Sequence, residues 1–426
     1  MFFSEDDVLE FIEENDVKFI RLTFCDTFGN MKNIAIMPRE LHRAIVDGIP
    51  FNATDLLESS HQNLLLKPDI STLSVLPWRP QSGRVVRFFC TLYRMDGTPY
   101  EGDLRRNLRE TMKSIQEHGY QCEMGTRCEF YLFETDMQGK PTRTPCDQGG
   151  YLDVAPLDKC ENTRREICLS LDEMGLNPTT SCHKHGPGQN EIDFACSNAL
   201  TAATTWCTIR PSSRHCLPER LLRLFHAQTL PRLQRKRSED HHQRQEGRCQ
   251  HLRHQPQEHA AGGPCVHRRH SQSGAGVHHV FQPHHQLLRA LWTAAAPSHI
   301  NWSEENRIPL IQLLYAPGRD GSIEFRSADP YCNPYITFQM LLSAGMAGIQ
   351  NGEELTDTMN AANASSVFPT LPSSLEESIR LAQNSSFVHA VLPETLIQDY
   401  AAAMEQQVTA YHAAQDSQAF CFDRYF

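Results

Sequence analysis

The chain has 426 residues, with 40 basic against 51 acidic side chains and a formal net charge of −11. This balance argues against nucleic acid as a main partner, and no apolar run approaches the roughly 20 residues of a membrane span. The acidic start MFFSEDDVLEF is unlike a signal peptide, and the fifteen cysteines show neither regular spacing nor a CxxC pair. We therefore expect a cytoplasmic protein with reduced thiols, no zinc ribbon and no membrane contact.

Short helices and strands alternate over the first hundred residues. Apolar residues at helical spacing predict a helix that opens the chain, and period-2 alternation on either side of a Thr-Phe-Gly-Asn turn predicts a hairpin. The predicted elements are, in order, a helix over 5–15, a strand over 17–24, its partner strand over 31–36 and a helix over 38–46. A Met-Asp-Gly turn within 90–100 is expected to end the first domain.

The remaining elements follow the same periodicities on both sides of the middle of the chain. Before it, we predict a helix over 105–119, a strand over 120–133, a helix over 163–175 and a strand from 191 to 194. After it, we predict strands over 307–323 and 323–327, an apolar helix over 335–348, and closing helices over 375–384 and 394–413.

The segment 204–295 differs in composition from the rest of the chain. It holds 13 of the 21 histidines, 13 arginines, one lysine (Lys236) and no tyrosine, and its 14 basic side chains face only 5 acidic ones. Outside it the balance is 26 basic (40 − 14) against 46 acidic (51 − 5). It has no stable hydrophobic period, so we predict loop or disorder there. Either a basic module has been inserted, or the segment is read out of frame.

The genetic code favours the second explanation. With permitted codons and a one-base shift, ERLLRLFHAQTLPR (219–232) becomes NGFYASFMPKPFPG, and FQPHHQLLRALW (281–292) becomes FNPTTNSYERFG. A different one-base offset turns 205–214 into NLVHYKTVVK. Three single-base losses, near 203, 214 and 295, would produce the pattern, and the third would restore the original frame.

Three in-frame segments carry residues suited to binding chemistry: GTRCEFYLF (125–133), HGPGQNEIDF (185–194) and GSIEFRSADPYCNPY (321–335). Because side chains alternate along a strand, Arg127 and Glu129 should share one face, as should Glu324 and Arg326, with Asp329 and the proline after it ending that strand. A carboxylate beside a guanidinium suits a site for a divalent cation and an anionic substrate.

These segments resemble glutamine synthetase of the bacterial type I class, and the likeness covers nearly all of the in-frame chain. KPDISTLSVLPWRP (67–80) and APSHINWSEENR (296–307) are similar to further segments of that family. The recovered frames supply its NGFYASFMPKP strand, a GSG turn and its NPTTNSYERF loop. The resemblance implies an α+β fold, with a β-grasp-like domain over 1–102 and a catalytic domain over 103–426. The latter would hold a curved antiparallel sheet flanked by helices.

The resemblance implies ATP-dependent ligation of ammonia to glutamate through a γ-glutamyl phosphate, with two Mg²⁺ or Mn²⁺ ions, in a cytoplasmic homododecamer. Glu129, Glu191 and Glu324 occupy metal-ligand positions of the family. Arg326 occupies a catalytic position that contacts the substrate or the transferred phosphate. The other implied roles are ATP-phosphate contact and catalysis for Arg307, nucleotide contact for Ser303, and substrate contact for Asn190, Asn52 and Asp55, the last two in a neighbouring subunit.

The chain departs from the family pattern at several of these positions. Arg127 and Lys184 stand where the family has metal ligands, and the recovered frame after the GSG turn gives lysine or arginine near an expected metal-binding histidine. Gln312 and Ser322 replace two arginines, and Asn52 replaces an aspartate. A cation in a divalent-metal site removes a ligand and adds repulsion. We therefore expect impaired metal binding and impaired activity.

Other interpretations of the same residues stay open at this stage. Glu129 alone is typical of a surface or ion-pair residue, and Glu324 with Arg326 could be a structural pair. The chain could be a pseudoenzyme that joins an active paralogue or senses glutamine, or could use another amine in place of ammonia. His-His pairs in 204–295 could bind zinc or nickel, whereas the basic run around Lys236 lacks the interleaved aromatics of a nucleic-acid site.

Overall fold

The computed structural model describes residues 4–54, 63–78, 82–138, 140–215, 221–225, 230–237, 299–304, 309–314, 322–328, 332–353 and 368–414. Two of the predicted site residues, Asp55 and Arg307, lie outside the described residues, as do Asp329 and the recovered GSG and NPTTNSYERF stretches. Helices and strands are counted over the described residues only.

The amino-terminal region is a six-stranded sheet with two helices. Its elements are α1 (Glu5–Glu14), β1 (Val17–Cys25), β2 (Met31–Ile36), α2 (Leu41–Val46), β3 (Ile49–Asn52), β4 (Asn63–Pro68), β5 (Ser74–Val75) and β6 (Arg84–Arg94). The strand order is β2-β1-β6-β4-β3, with β1 and β6 parallel. The helix predicted over 38–46 is a short 3-10 turn (Pro38–Glu40) followed by α2, an arrangement that is frequent at helix ends.

The second region contains the remaining helices and ten strands. Its elements are α3 (Leu104–Glu117), β7 (Tyr120–Thr135), β8 (Pro141–Pro145), α4 (Glu161–Glu173), β9 (Pro178–His183), β10 (Gln189–Phe194), β11 (Ser197–Asn198), α5 (Ala199–His215), β12 (Leu221–Phe225), β13 (Leu230–Arg237), β14 (His299–Ser303), β15 (Pro309–Leu314), β16 (Ser322–Phe325), α6 (Pro334–Gln350), α7 (Leu375–Gln383), α8 (Ser386–Val391) and α9 (Glu394–Ala413).

The long strand β7 organises this second sheet. The order is β14-β15-β16-β13-β7-β10-β9, and β8, β11 and β12 also pair with β7. The ladders are antiparallel, as predicted, except that β14 and β15 run parallel. Sixteen residues of β7 give it room for partners along both edges. The segments 125–133 and 185–194 are thereby placed side by side on β7 and β10.

Apolar burial explains how the helices pack on this sheet. Helix α6 is hydrophobic nearly all round, as expected of a helix buried within a larger core. It packs against α3 and α5. Asn333 caps its start by accepting a hydrogen bond from the Tyr335 amide at 3.0 Å, and its side-chain amide donates to the carbonyl oxygens of Asp26 and Thr27 in the first region. The two regions therefore share a buried hydrogen-bonded contact.

The prediction of loop or disorder from residue 204 onward was wrong for part of that segment. Helix α5 continues to His215, and β12 and β13 pair with β7, the latter from Leu230↔Arg127 to Arg237↔Tyr120. A strand ladder is made by backbone groups, so it can form without the apolar alternation on which the prediction rested.

The prediction of reduced thiols throughout was also wrong at one position. Cys146, after β8, and Cys160, before α4, form a disulfide with their Cα atoms 7.0 Å apart. The two cysteines are 14 residues apart in the sequence, and the path of the chain between them brings them together. The irregular spacing of the cysteines gave no sign of this pair. In the part of the chain that the structure describes, no helix is both long enough and apolar enough to cross a bilayer.

Candidate functional site

Four charged side chains share one face where β7 and β10 pair. Glu191 on β10 lies directly opposite Glu129 on β7, and Asp193 lies opposite Arg127. Residues two apart on a strand point to the same side, so the four side chains form two adjacent cross-strand pairs. The predicted common face of Arg127 and Glu129 is consistent with these contacts.

Arg127 contacts carboxylates on both sides of β7. Its Nε atom donates to Asp193 Oδ1 at 3.0 Å and lies 3.8 Å from Glu191 Oε2. Its Nη1 atom lies 3.7 Å from Glu324 Oε1 on β16. Strand β13 lies between β7 and β16 in the sheet, so the guanidinium reaches across a strand to join two of the predicted metal-ligand glutamates.

Lys184 supplies a second cation to the same carboxylates. It follows β9, and its Nζ atom lies 3.1 Å from Glu191 Oε2 and 3.6 Å from Glu129 Oε1. Its backbone amide donates to the Gln189 carbonyl at 2.8 Å. The turn between β9 and β10 depends on Gly188, whose φ of +67° suits glycine and whose Cβ, if present, would meet the Leu132 carbonyl at 2.7 Å.

The remaining predicted residues of the second region lie on or beside the strands on the far side of β13. Glu324 is buried on β16 opposite Gln312 of β15, and Ser303 ends β14, also buried. Arg326 follows β16 directly instead of lying within it, and its backbone amide donates to the Leu310 carbonyl at 3.0 Å. Arg326 is 8% exposed. Its predicted contact with a substrate stays a prediction.

Burial and mutual charge shift the ionisation of this cluster. Burial raises the pKa of Glu129 above its ordinary value; Lys184 opposes the rise and Glu191 adds to it. Burial by itself lowers the pKa of Lys184, but the two glutamates outweigh burial and raise it. The pKa of Arg127 is likewise raised, because Asp193 and its neighbouring carboxylates outweigh burial. Both cations therefore stay charged among these acids.

The cluster does not fit a divalent ion. One such ion would hold its oxygen ligands roughly 2.0–2.6 Å away, hence within about 5 Å of one another. Among the described residues, the groups of three ligand-type atoms within 4.8 Å of one another do not include Glu129, Glu191 or Glu324. A divalent ion about 4 Å from the Lys184 ammonium would also be repelled by roughly 8 kcal/mol at an effective dielectric constant of about 20.

Asn190 lies within the protein interior beside this cluster. Its side chain is 0% exposed; Oδ1 accepts from Arg164 Nη1 at 2.6 Å, and Nδ2 donates to the Gly188 carbonyl at 2.8 Å. Arg164 also donates to both carboxylate oxygens of buried Asp158. In this arrangement the Asn190 amide is bonded to protein groups at both ends, and its predicted contact with substrate stays a prediction.

Asn52 is the last residue of β3 in the first region. Its side chain is exposed, and its Oδ1 accepts from the Thr54 amide at 2.9 Å. Exposure at the sheet end is compatible with the predicted contribution to a neighbouring subunit, which stays a prediction.

Three residues of the site were missed from the sequence. Asp193 binds Arg127, Gln189 donates to Glu129 Oε2 at 2.9 Å, and Arg164 holds Asn190. Asp193 carried a usable signal, because it lies two residues after Glu191 on the same strand face. Arg164 carried none, since its helix meets β10 only in the folded chain.

Comparisons with known proteins identify the family of the chain. The family described as "Glutamine synthetase, beta-Grasp domain" matches residues 16–95, and "Glutamine synthetase, catalytic domain" matches 101–217 and 283–423. The unmatched residues 218–282 fall inside the segment of unusual composition.

Two curated relatives and two solved structures illustrate the similarity. The chain is 34% identical to "Glutamine synthetase" of Clostridium saccharobutylicum over 82% of this chain and 80% of the relative. It is 32% identical to that of Methanosarcina mazei over 96% and 95%. The fold is similar to "GmaS/ADP complex-Conformation 1" (TM-score 0.81, 18% identity, 97% and 98% coverage) and to "CryoEM Plasmodium falciparum glutamine synthetase" (TM-score 0.81, 14% identity, 98% of each). The chain therefore belongs to the glutamine synthetase family and, by that membership, to the glutamate–ammonia ligases.

Proposed function

We propose that this chain descends from a cytoplasmic ATP-dependent glutamate–ammonia ligase and that its activity is impaired as its sequence stands. In the ancestral reaction, the glutamate side-chain carboxylate takes the terminal phosphoryl group of ATP. Ammonia then attacks the acyl phosphate, forming glutamine and releasing phosphate. The family uses ATP and divalent metal ions generally; for this chain, glutamate, ammonia and ATP are proposed substrates, and the dodecamer is the proposed assembly.

The proposed roles follow the positions of the residues. Glu129, Glu191 and Glu324 would be the ancestral metal ligands. Arg326 would contact the substrate or the transferred phosphate, and the buried Ser303 would contact the nucleotide. Asn190 would position the substrate through the turn at Gly188. Arg307 would contact the ATP phosphates. Asn52 and Asp55 would contact the substrate in the site of a neighbouring subunit.

The observation that carries the proposed impairment is the presence of Arg127 and Lys184 among the three glutamates. Each predicted metal-ligand glutamate has one of these cations within 4 Å: Lys184 near Glu129 and Glu191, and Arg127 near Glu324. A second support is the altered segment, since 218–282 lies outside the family match. Catalysis of phosphoryl transfer depends on positioning of the reactants and on stabilisation of charge. The two cations and the altered segment would each disturb these contributions.

The decisive experiment is a direct assay of glutamine formation from glutamate, ammonia and ATP. We expect none above background from the unaltered chain. The same assay is applied to the full chain with 204–295 restored to frame, with and without Arg127→Glu and Lys184→Glu. Arg39→Glu with Lys113→Glu, at exposed positions, is the charge-matched control. Turnover by the unaltered chain at the level of an active synthetase would contradict the proposal.

A non-catalytic subunit is the second candidate function. It is supported by the first region, whose described residues form a buried apolar cluster that includes Ile20, Leu22, Leu64 and Phe88 and shares no residue with the charge cluster. Such a chain could join a ring of an active paralogue or sense glutamine. Co-purification of the frame-restored chain with an active synthetase would support this role. Hydroxamate formation from glutamine by the frame-restored chain alone would instead support an enzyme.

A further inference from the structure

The strongest unexplained feature is that the two basic side chains lie inside the carboxylate cluster. Arg127 is held in place by Asp193, which also accepts from the Thr180 hydroxyl at 3.0 Å. Its side chain is 33% exposed. The guanidinium is thus fixed by a charge-assisted hydrogen bond, and this bond is stronger than one between neutral groups.

Lys184 is held from the opposite side. Its side chain is only 14% exposed, and its Nζ atom lies 5.6 Å from the centre of the Tyr151 ring. That ring stacks on His185, with ring centres 4.4 Å apart. A cation near an aromatic face gains a favourable interaction, so Tyr151 and the two glutamates keep the ammonium at one place.

From these contacts we infer that Arg127 and Lys184 act as built-in cations in place of divalent ions, so that this carboxylate cluster is organised without metal. The ammonium joins Glu129 to Glu191 on neighbouring strands. The guanidinium joins Glu191 to Glu324 across β13. These are the three carboxylates that stand at metal-ligand positions of the family. The inference rests on the proposed function and adds a structural role for the two cations, and it predicts a property that no activity assay reports.

The property is indifference of the fold to divalent ions. A site that needs metal to offset its carboxylates is stabilised by the ion, because ligand binding to the folded state raises its stability. A site that carries its own cations has no such dependence. The wild-type cluster should therefore bind no Mn²⁺ tightly, and melting of the protein should not respond to added Mn²⁺ or to a chelator.

The test counts bound Mn²⁺ by equilibrium dialysis and follows thermal melting with Mn²⁺ or EDTA. It uses the full chain as it stands and the full chain with 204–295 restored to frame, so that a cooperatively melting background is available. We expect neither form to bind Mn²⁺ at the cluster. Arg127→Glu with Lys184→Glu should bind Mn²⁺ at least 100-fold more tightly and melt at a higher temperature when Mn²⁺ is present.

Two further variants keep the test decisive. Arg127→Gln with Lys184→Gln removes both cations without adding acids, and it should gain a smaller Mn²⁺ affinity. This variant decides the test if the charge-reversed form fails to fold. Arg39→Glu with Lys113→Glu makes the same change in net charge at exposed sites and should gain none. Tight Mn²⁺ binding by the wild-type cluster that Glu191→Gln abolishes would overturn the inference. So would equal Mn²⁺ binding by the charge-reversed form and its control.

The outcome is separable from that of the proposed function. Glutamine formation by the unaltered chain would refute impairment, whereas the Mn²⁺ count decides the role of the two cations. An inactive chain that binds Mn²⁺ at Glu191 would retain the proposed impairment and lose this inference.

Discussion

Glu191 lies directly opposite Glu129 across the β7–β10 ladder, and one ammonium, that of Lys184, lies within 4 Å of both carboxylates. Like charges placed directly opposite on neighbouring strands repel each other. Two effects make their proximity tolerable. The Lys184 ammonium lies close to both, and burial together with Glu191 raises the pKa of Glu129 to about 8, so this carboxyl takes up a proton near neutral pH. We therefore expect Lys184 to stabilise the cluster.

Replacing Lys184 with methionine should therefore destabilise the protein. Loss of one partner of a largely buried ion pair costs about 3 kcal/mol, because the remaining charges stay out of water. We expect that loss in denaturant unfolding of the frame-restored full chain. Lys113→Met, at an exposed position of α3, is the control and should change the free energy of unfolding by less than about 0.5 kcal/mol. Adding Glu129→Gln to Lys184→Met should recover part of the loss. Equal losses of stability in Lys184→Met and Lys113→Met would contradict the prediction.

Neighbouring arginines on α4 provide a matched pair for a second prediction. Arg164 and Asp158 are 6% and 1% exposed at the side chain, whereas Arg165 and Glu166 are 64% and 59% exposed. Arg164→Leu should cost about 3–5 kcal/mol, because it leaves the Asp158 charge buried and unpaired. Arg165→Leu should be nearly neutral. Unfolding curves for the two variants, compared with the parent, check this difference; similar curves would refute it.

A pH dependence is expected from the buried pair of His183 and Asp147. His183 Nε2 lies 3.0 Å from Asp147 Oδ1, and its Nδ1 lies 2.7 Å from the Lys184 carbonyl. Burial alone lowers the pKa of His183, but the bonds to Asp147 and to that carbonyl outweigh burial and raise the pKa above 6.5. The stabilisation is therefore complete below pH 6.5 and is lost as pH rises through the folded-state pKa.

Melting temperatures between pH 6 and pH 9 test this pair. The difference between the parent and His183→Gln should be largest at the acidic end of this range and should shrink as pH rises. His185→Gln, which changes the adjacent stacked histidine, is a useful control. A difference that is constant over the range would show that the charge on His183 contributes nothing to stability.

The unusual segment leads to a fourth prediction about folding. The strands β12 and β13 keep their backbone pairing with β7, but the sequence of 204–295 is polar and contains prolines and lacks the apolar side chains that the recovered frames supply. Burial of an apolar side chain is worth about 1.5–3 kcal/mol, so loss of several is as large as the roughly 5–15 kcal/mol stability of a domain. We expect the literal chain to express as insoluble or partly unfolded protein, and the frame-restored chain to be recovered in soluble form. Sedimentation and cooperative melting distinguish the two outcomes. A soluble, cooperatively melting dodecamer of the literal chain would contradict the prediction.

Sequencing the gene across codons 200–300 tests the origin of this segment. We expect three single-base losses at the inferred positions. Codons that cannot spell the family stretch in any frame would refute the frame explanation, and tight zinc or DNA binding by a 204–295 peptide would support a basic insert instead.

Much of the fold was predictable because its elements have strong local signals. The hairpin of β1 and β2 was predicted from period-2 alternation around a short turn, and α9 was predicted with the same bounds that the structure has, 394–413. The strands β12 and β13 were missed, because their side chains lack the pattern while their backbone groups still pair with β7. The Cys146–Cys160 disulfide was missed because it depends on the path of the chain between β8 and α4.

The sequence by itself determined the family likeness, the alternating elements, the three glutamates at metal-ligand positions, and Arg127 and Lys184 at two further such positions. Residue type and spacing are local properties, so they can be read without the fold. Only the tertiary structure decided that Asp193 faces Arg127 and that Lys184 lies between Glu129 and Glu191. Strand register and the turn at Gly188 set those distances, and electrostatic interactions depend on distance and burial rather than on order along the chain.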